Sequence, residues 1–399
     1  MKKALLILPY KEFFPLINGG MNRYFHILHQ LSIHSNLTVL TLASKDQIEK
    51  ARTKYPSLRT VSFYYVNEDY EIPKILAFLP KKIAASIYSR ILSYNLLKSA
   101  NGILLSFYQP TIKLLKNSHF DVVVFENLAT LDLAKRIKQK FPQIRQIYDA
   151  HNFDTEIALS QFNLQQITKN ELKYTAKLES NLYKYIDILW VCSKRESVLF
   201  EKANNNKITS IEVIPNGTEI QSIPFSTTRN IIPEILFVGS LDYYPNEEGL
   251  LWFLQYVLPN IKSDFFFRIV GSGNCSQVLK DIISNLKNVQ LVGFVEQLDQ
   301  HYINADLIVI PILSGSGTRL KALEAMKFQK AIVSTIKGVE GIELQDEIFI
   351  QDDPEKMASA ISILLVNQSD NFDLADKARK HVEKYYDWDV IGLKMKQTI

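Results

Sequence analysis

One local pattern repeats along this chain and constrains it more than anything else: a short uninterrupted apolar run followed by a helix-length segment. Runs such as Ala4 to Leu8, Asp121 to Phe125 and Leu307 to Ile310 suit strands buried on both faces. Strands that alternate with helices give parallel sheets covered on both sides. In the first half the strand candidates are 4–8, 37–42, 60–66, 121–125, 146–149, 186–192 and 212–214. The polar stretch Gln221 to Asn230 then interrupts the series and reads as a linker. A second series covers 234–239, 265–271, 289–292, 307–310 and 331–334. The expected fold class is therefore α/β, with two doubly wound Rossmann-like domains over 1–222 and 231–384. Open sheets of this kind bind ligands beyond the carboxyl ends of their strands, so a cleft between the halves is the expected active site.

Composition narrows the class further. A chain of 399 residues holds about two or three domains, and 47% hydrophobic with 22% charged residues is an ordinary globular balance. The net charge of +4 is too mild to argue for nucleic acid. Cys192 and Cys275 form no disulfide framework and have no metal spacing, which suits a reducing cytoplasm. The start MKKALLILPYKE resembles a signal peptide only until Pro9, Lys11 and Glu12 end its apolar run, so it reads as a first strand. No stretch has the roughly 18 apolar residues that a membrane span needs.

The segment Pro311 to Met326, PILSGSGTRLKALEAM, joins a buried strand to a glycine loop and a helix start. Gly315 and Gly317 let the backbone turn tightly and let a ligand approach main-chain N–H groups. From Thr318 onward the residues are strong helix formers, so the free N–H groups stand where a phosphate is favoured, with Arg319 and Lys321 adding cations. Glu324 can accept hydrogen bonds from sugar hydroxyls. The residues alone fit a flexible turn and a solvated helical Glu equally well. In the first half, Asn18-Gly19-Gly20 precedes another helix and again offers N–H groups to an anion, without the spacing of a dinucleotide fingerprint. His151 follows the run QIYDA at a strand's carboxyl end, and Glu126 and Asn127 follow DVVVF, either facing a cleft or capping a helix. Asp387-Trp388-Asp389 has the form of a metal-binding pair, but it stands before an amphipathic helix, where Asp387 suits an N-cap and Trp388 a packing anchor.

The 311–326 segment resembles the donor-site motif of glycosyltransferase family 4, a retaining family with the GT-B fold. Its usual first Glu is Ser316 here, and the GSGTRLK run before Glu324, Ala325 and Met326 looks like the exopolysaccharide-type branch. Further segments match in order over nearly the whole chain. The resemblance implies that Gly19 and Gly20 face the donor diphosphate or the acceptor, with Arg23 beside them. It implies that His151 contacts the transferred sugar as a catalytic residue, with Asn152 and Glu156 as helpers. It makes Asn216 and Gly217 of VIPNGTE part of the donor site, with Gly239 and Ser240 after one strand and Gly271 after the next. Phe294 and Val295 lie in the segment whose backbone reads the base, with Phe294 open to a core reading as well. Ser316, Gly317, Thr318, Arg319, Lys321 and Glu324 complete the donor-binding set, Glu324 also counting as catalytic. The family's usual clamp cations are absent at Ser240 and Glu248, which shifts the neutralising role to Arg319 and Lys321.

The implied reaction moves a hexose-type sugar from a nucleotide-diphosphate donor to an acceptor hydroxyl with retention, the leaving phosphate helping to deprotonate the acceptor. No metal and no cofactor are expected, the nucleotide sugar being a substrate. The terminal segment 387–399 is expected to form a helix that crosses back to the first domain. The acceptor is expected to be a glycan or lipid-linked glycan in cell-surface or exopolysaccharide synthesis, at the cytoplasmic face of the plasma membrane. Residues 72–120 carry seven Lys and Arg, no Asp or Glu, and interleaved apolar side chains, so a peripheral contact with an anionic membrane is expected there. Two other classes fit the same fold: a nucleotide-sugar epimerase or hydrolase, which needs acid/base carboxylates at the sugar, and a non-catalytic scaffold.

Overall fold

The structure, a computed structural model, describes residues 1–16, 19–66, 80, 98–208, 210–220, 230–315, 317 and 319–399. Most of the expected linker (221–229), the donor-loop residues Ser316 and Thr318, and 72–79 and 81–97 of the basic stretch lie outside the described residues.

The chain divides into two compact units, Met1–Pro215 with Ile391–Ile399, and Asn216–Val390. The first unit is built on seven strands: β1 (Lys3–Leu8), β2 (Asn36–Thr41), β3 (Ser62–Tyr65), β4 (Val122–Glu126), β5 (Arg145–Ala150), β6 (Ile188–Val191) and β7 (Ile211–Val213). They pair in the order β3-β2-β1-β4-β5-β6-β7, every pair parallel. Continuous burial follows from that register, since β1 lies between β2 and β4 with Leu6 opposite Val39 on one side and Val124 on the other. Leu5, Ile7, Val123, Phe125, Tyr148 and Leu189 form one core with residues of the covering helices.

The second unit has six: β8 (Glu234–Val238), β9 (Phe266–Val270), β10 (Val289–Gly293), β11 (Leu307–Ile310), β12 (Ala331–Ser334) and β13 (Phe349–Ile350). Their order is β10-β9-β8-β11-β12-β13, again all parallel. The expected α/β class with two doubly wound sheets holds. Strand order reverses between β1 and β4 in one unit and between β8 and β11 in the other, and that is where such sheets open a ligand crevice.

One local expectation is corrected and one strand lies outside the expected series. The strand expected over 60–66 begins only at Ser62, because Pro56 fixes φ and starts a 3-10 turn over Pro56–Thr60. The two-residue edge strand Phe349–Ile350, opposite Val333 and Ser334, is too short to announce itself by alternation. Near the C-terminus, Asp387 accepts from the Asp389 N–H at 3.2 Å and Trp388 is buried, as an N-cap and packing anchor require. The helix Trp388–Thr398 follows. Its end belongs with the first unit, where a Cβ on Gly392 would meet Gln30 Oε1 at 1.8 Å and Lys2 Nζ donates to the Ile399 carbonyl at 2.6 Å.

Candidate functional site

In the first unit, four ionisable groups converge at the carboxyl ends of β4 and β5. Glu126 ends β4 and Asp149 lies near the end of β5, both fully buried. His151 follows β5 and places Nε2 at 2.7 Å from Glu126 Oε2 and 3.5 Å from Asp149 Oδ2. Arg23, on helix Gly19–His34, donates through Nε to Asp149 Oδ2 at 3.0 Å and through Nη2 to Asp149 Oδ1. Its Nη1 donates to the Ile214 carbonyl at 2.8 Å. Only 1% of Arg23 is exposed. Burying it is tolerable because a bidentate carboxylate and a carbonyl receive its donors.

These partners set the protonation states. Burial, reinforced by the charge of Asp149, pushes Glu126 up to about 7. Burial also opposes a charged His151, but hydrogen bonds and charge from Asp149 and Glu126 outweigh it and raise the imidazole to about 9. Asp149 stays below its ordinary value, because Arg23 and His151 outweigh its desolvation. At neutral pH the cluster thus holds an imidazolium against two carboxyl groups, one of them close to protonation. Glu126 Oε1 is buried with no hydrogen-bond partner among the described residues. Glu126, Asp149 and His151 offer ligand atoms within 4.8 Å of one another, as a cation site would, while Arg23 already engages both Asp149 oxygens. Tyr10 and Tyr24 stack at 3.9 Å, each ring 6.3 Å from the imidazole.

The two alternatives left open for Glu126 and Asn127 divide. Asn127 caps, accepting from the Ala129 N–H at 2.9 Å with φ at 75°, whereas Glu126 binds His151. Glu156 forms an exposed bidentate pair with Arg195. Gly19 and Gly20 are exposed at the start of their helix.

In the second unit the loop after β11 leads into helix Leu320–Lys327. Gly315 and Gly317 have φ of 89° and 90°, a region that L side chains rarely adopt, which is why glycine stands at both. Arg319 is buried and works on the loop itself, donating to the carbonyls of Lys337 and Ser314, each at 3.0 Å. Lys321 donates to Asn246 Oδ1 at 2.6 Å and lies 4.9 Å over the Phe237 ring. Burial, then the neighbouring Arg319 charge, lowers Lys321 to about 7. Asn246 in turn donates to the Ser240 carbonyl at 2.7 Å, so one amide links the loop after β8 to the cation. Gly239 is open enough for this only without a side chain, since a Cβ there would meet Asn246 Nδ2 at 2.8 Å. Gly271 is required by packing, a Cβ there falling 1.8 Å from the Gly239 carbonyl.

Glu324 receives Thr218 Oγ1 at 3.4 Å and stands 3.7 Å from Lys327 Nζ, which brings the turn holding Asn216 and Gly217 beside helix Leu320–Lys327. Phe294 is 72% exposed, which overturns the core reading, while Val295 packs partly against the core. Gly293, with φ at 82° and a break in the β10 register, turns Phe294 outward. Gly239, Ser240, Gly271, Gly317, Lys321 and Asn246 thus gather at the carboxyl ends of this sheet. Two of the residues that organise these sites, Asp149 and Asn246, were not singled out from the sequence. Asp149 lies inside the run DAHNFDTE, where its place two residues before His151 was the available signal. Asn246 carried none.

Two doubly wound parallel sheets, each with its ligand-side loops at the strand carboxyl ends, define a protein of the GT-B fold. Residues 232–367 match the family of Glycosyl transferases group 1. The chain is 25% identical over 392 residues, 94% of each chain, to an uncharacterized 44.6 kDa protein in the cps region of Klebsiella pneumoniae. It is similar along its length to Anabaena Alr3699/HepE in complex with UDP and glucose, with a TM-score of 0.64, 12% identity, and 100% and 99% of the two chains covered. It is likewise similar to a mutant of S. aureus TarM in complex with Fondaparinux, alpha-GlcNAc-glycerol and UDP, with a TM-score of 0.64, 15% identity, and 100% and 99% coverage. Together these findings support a glycosyltransferase of the GT-B fold.

Proposed function

We propose that the protein is a retaining glycosyltransferase of family 4 that moves a sugar from a nucleotide-diphosphate donor to an acceptor hydroxyl. The observation that carries this reading is the Lys321 ammonium, set on Asn246 beside the φ-positive glycine loop at a helix start. This partly desolvated cation has no carboxylate partner among the described residues, and a diphosphate at the helix N-terminus would supply the counter-charge. That the similar proteins were solved with UDP supports a uridine diphosphate donor.

In this reading Glu324 holds the donor ribose and the exposed Phe294 covers the base. His151, fixed by Glu126 and Asp149, donates a hydrogen bond to the transferred sugar. The bond from the anomeric carbon to the diphosphate oxygen breaks, the acceptor oxygen bonds to the same face, and its proton passes to the leaving phosphate. No bound metal ion is required, because Lys321 and main-chain N–H groups meet the charge that develops on the leaving group. The cps-region relative supports a place in cell-surface polysaccharide synthesis, with a glycan or lipid-linked acceptor. The basic stretch 72–120 would bring the enzyme to anionic lipid at the cytoplasmic membrane face; co-sedimentation with anionic vesicles that is insensitive to salt or absent would refute that contact.

The deciding experiment incubates the enzyme with nucleotide sugars and bacterial polysaccharide or lipid-linked acceptors, with and without EDTA. Expected are acceptor-dependent release of nucleoside diphosphate, unchanged by EDTA, and a product whose anomeric configuration by NMR matches the donor. An inverted product would overturn retention, and loss of turnover in EDTA would overturn metal independence. Glu126, a carboxyl group titrating near neutrality beside His151, favours one second reading, donor hydrolysis or epimerisation. Release of free monosaccharide or an epimerised donor without any acceptor would select it.

A further inference from the structure

The mild net charge hides a strong division. The first unit carries 31 Lys and Arg against 18 Asp and Glu, the second 15 against 24. Part of the first unit's excess is concentrated in a cavity of about 720 Å3 between helix Leu131–Lys140, helix Lys169–Glu179 and the turn that reaches Tyr185. Five cations line it: Lys135, Arg136, Lys138, Lys177 and Lys184. Lys138 is already held by Asp187 at 2.7 and 2.8 Å. The one acid in the lining, Asp132, receives the Tyr174 hydroxyl. Lys184 donates to an amide, Asn181 Oδ1, at 2.5 Å. Lys135, Arg136 and Lys177 have no carboxylate partner among the described residues. A concave surface with an uncompensated charge of one sign focuses its field on whatever enters.

The remaining lining separates the candidate occupants. Gln139 offers an exposed amide at the wall and Tyr174 a ring, groups that hydrogen-bond hydroxyls and stack on sugar rings, while Asn181 orients Lys184. A lipid surface binds through exposed apolar side chains beside the cations, and here the aliphatic lining is the partly covered Leu178. The cavity starts at Asp132, six residues after Glu126, and follows its helix to Gln139, a rise of about 10 Å. It therefore leads away from the His151 cluster along the outside of the first unit's sheet.

From this combination of concavity, cations without carboxylate partners and a sugar-compatible amide and ring, we infer that the groove binds an acidic oligosaccharide, one bearing carboxylate, phosphate or sulfate groups. Its assignment as a hold on an acidic stretch of the acceptor rests on the glycosyltransferase reading; the binding itself does not. The test uses the full chain at low ionic strength and isothermal titration with a six-sugar oligogalacturonate, maltohexaose as neutral control, and phosphatidylglycerol vesicles. Three proteins are compared: wild type, Lys135→Glu with Lys177→Glu, and Lys50→Glu with Lys202→Glu, whose positions do not line the groove. All four side chains are exposed, so unchanged melting temperatures are expected. Oligogalacturonate should bind wild type and the control pair within about twofold of each other and bind the groove pair at least tenfold more weakly. Maltohexaose should show no such difference. Equal loss in both double variants would mean general charge attraction and overturn the site, as would no oligogalacturonate binding to wild type. Vesicle binding lost only in the groove pair would replace the glycan with a membrane. Because no donor is present, an enzyme that proves inactive leaves these outcomes readable.

Discussion

Replacing Lys321 tests the donor site most directly, because its expected effect has a size and a pH signature. In the free protein burial, then Arg319, holds Lys321 near 7 instead of its ordinary 10.5. At pH 8 the free side chain is therefore mostly neutral. A nucleoside diphosphate restores a counter-charge and raises that pKa, so binding above pH 7 takes up close to one proton. Each pH unit above 7 then costs about 1.4 kcal/mol, or tenfold in affinity, until the pKa of the bound form is reached. At pH 7 itself the lost charged hydrogen bond is worth about 1.5–3 kcal/mol, roughly tenfold to somewhat above a hundredfold. Lys321→Met keeps a long apolar stem over Phe237. It should weaken nucleoside-diphosphate binding by that factor, weaken nucleoside-monophosphate binding less, and abolish the pH slope. Calorimetry at pH 8 in buffers of different ionisation enthalpy counts the protons taken up. Zero uptake by wild type, or the same slope in Lys321→Met, would refute the assignment. Stability depends on pH for the same reason: a lysine whose folded pKa is lowered leaves the unfolded chain holding more protons between pH 7 and 10.5. The apo protein should therefore gain stability across that window, and Lys321→Met should gain less.

Glu324→Ala should cost about 1.5–3 kcal/mol of donor affinity if the carboxylate pairs with ribose hydroxyls, and calorimetric affinity near wild type would remove it from the site. Glu126, raised by burial from 4.5 to about 7, binds more protons folded than unfolded in that interval, so its contribution to stability is lost as pH rises through it. Glu126→Gln should flatten the fall in melting temperature between pH 4.5 and 7 and shift the acidic limb of the rate profile; an unaltered profile in both would show that the group does not titrate there. Arg23→Ala removes the bidentate partner of the buried Asp149 and leaves only His151, 3.5 Å away, as its counter-charge, with an expected loss of about 3–5 kcal/mol. For a unit of this size that is a drop in melting temperature of roughly 6–20 °C, and a drop under 3 °C by circular dichroism would contradict the buried-pair account.

The strand order's raw material was legible locally. Ala331 to Ser334 and Leu307 to Ile310 stand as strands with the bounds read from the chain, and the others shift by a residue or two, Pro56 accounting for the late start at Ser62. The glycine loop before Leu320 was equally plain, because positive φ leaves glycine as the residue of choice at 315 and 317. Such signals are short-ranged: burial on both faces, turn conformation and helix starts are written within a few residues of where they act. The electrostatics of the sites were not written that way. Arg23 finds Asp149 across 126 positions, Glu126 finds His151 across 25, and Lys321 finds Asn246 across 75. The Arg23 and Lys321 pairs exist because strand order reverses beside β1 and beside β8, which sets elements distant in sequence next to each other, while Glu126 and His151 meet at the adjacent ends of β4 and β5. Arg23, which the resemblance sets beside the glycine pair, became a buried ion pair, and Phe294, open to a core reading, became an outward ring. The sequence by itself determined which residues could be strands, loops and cations; the tertiary structure decided which of them are desolvated together, and desolvation is what sets a pKa near 7 at Glu126 and Lys321.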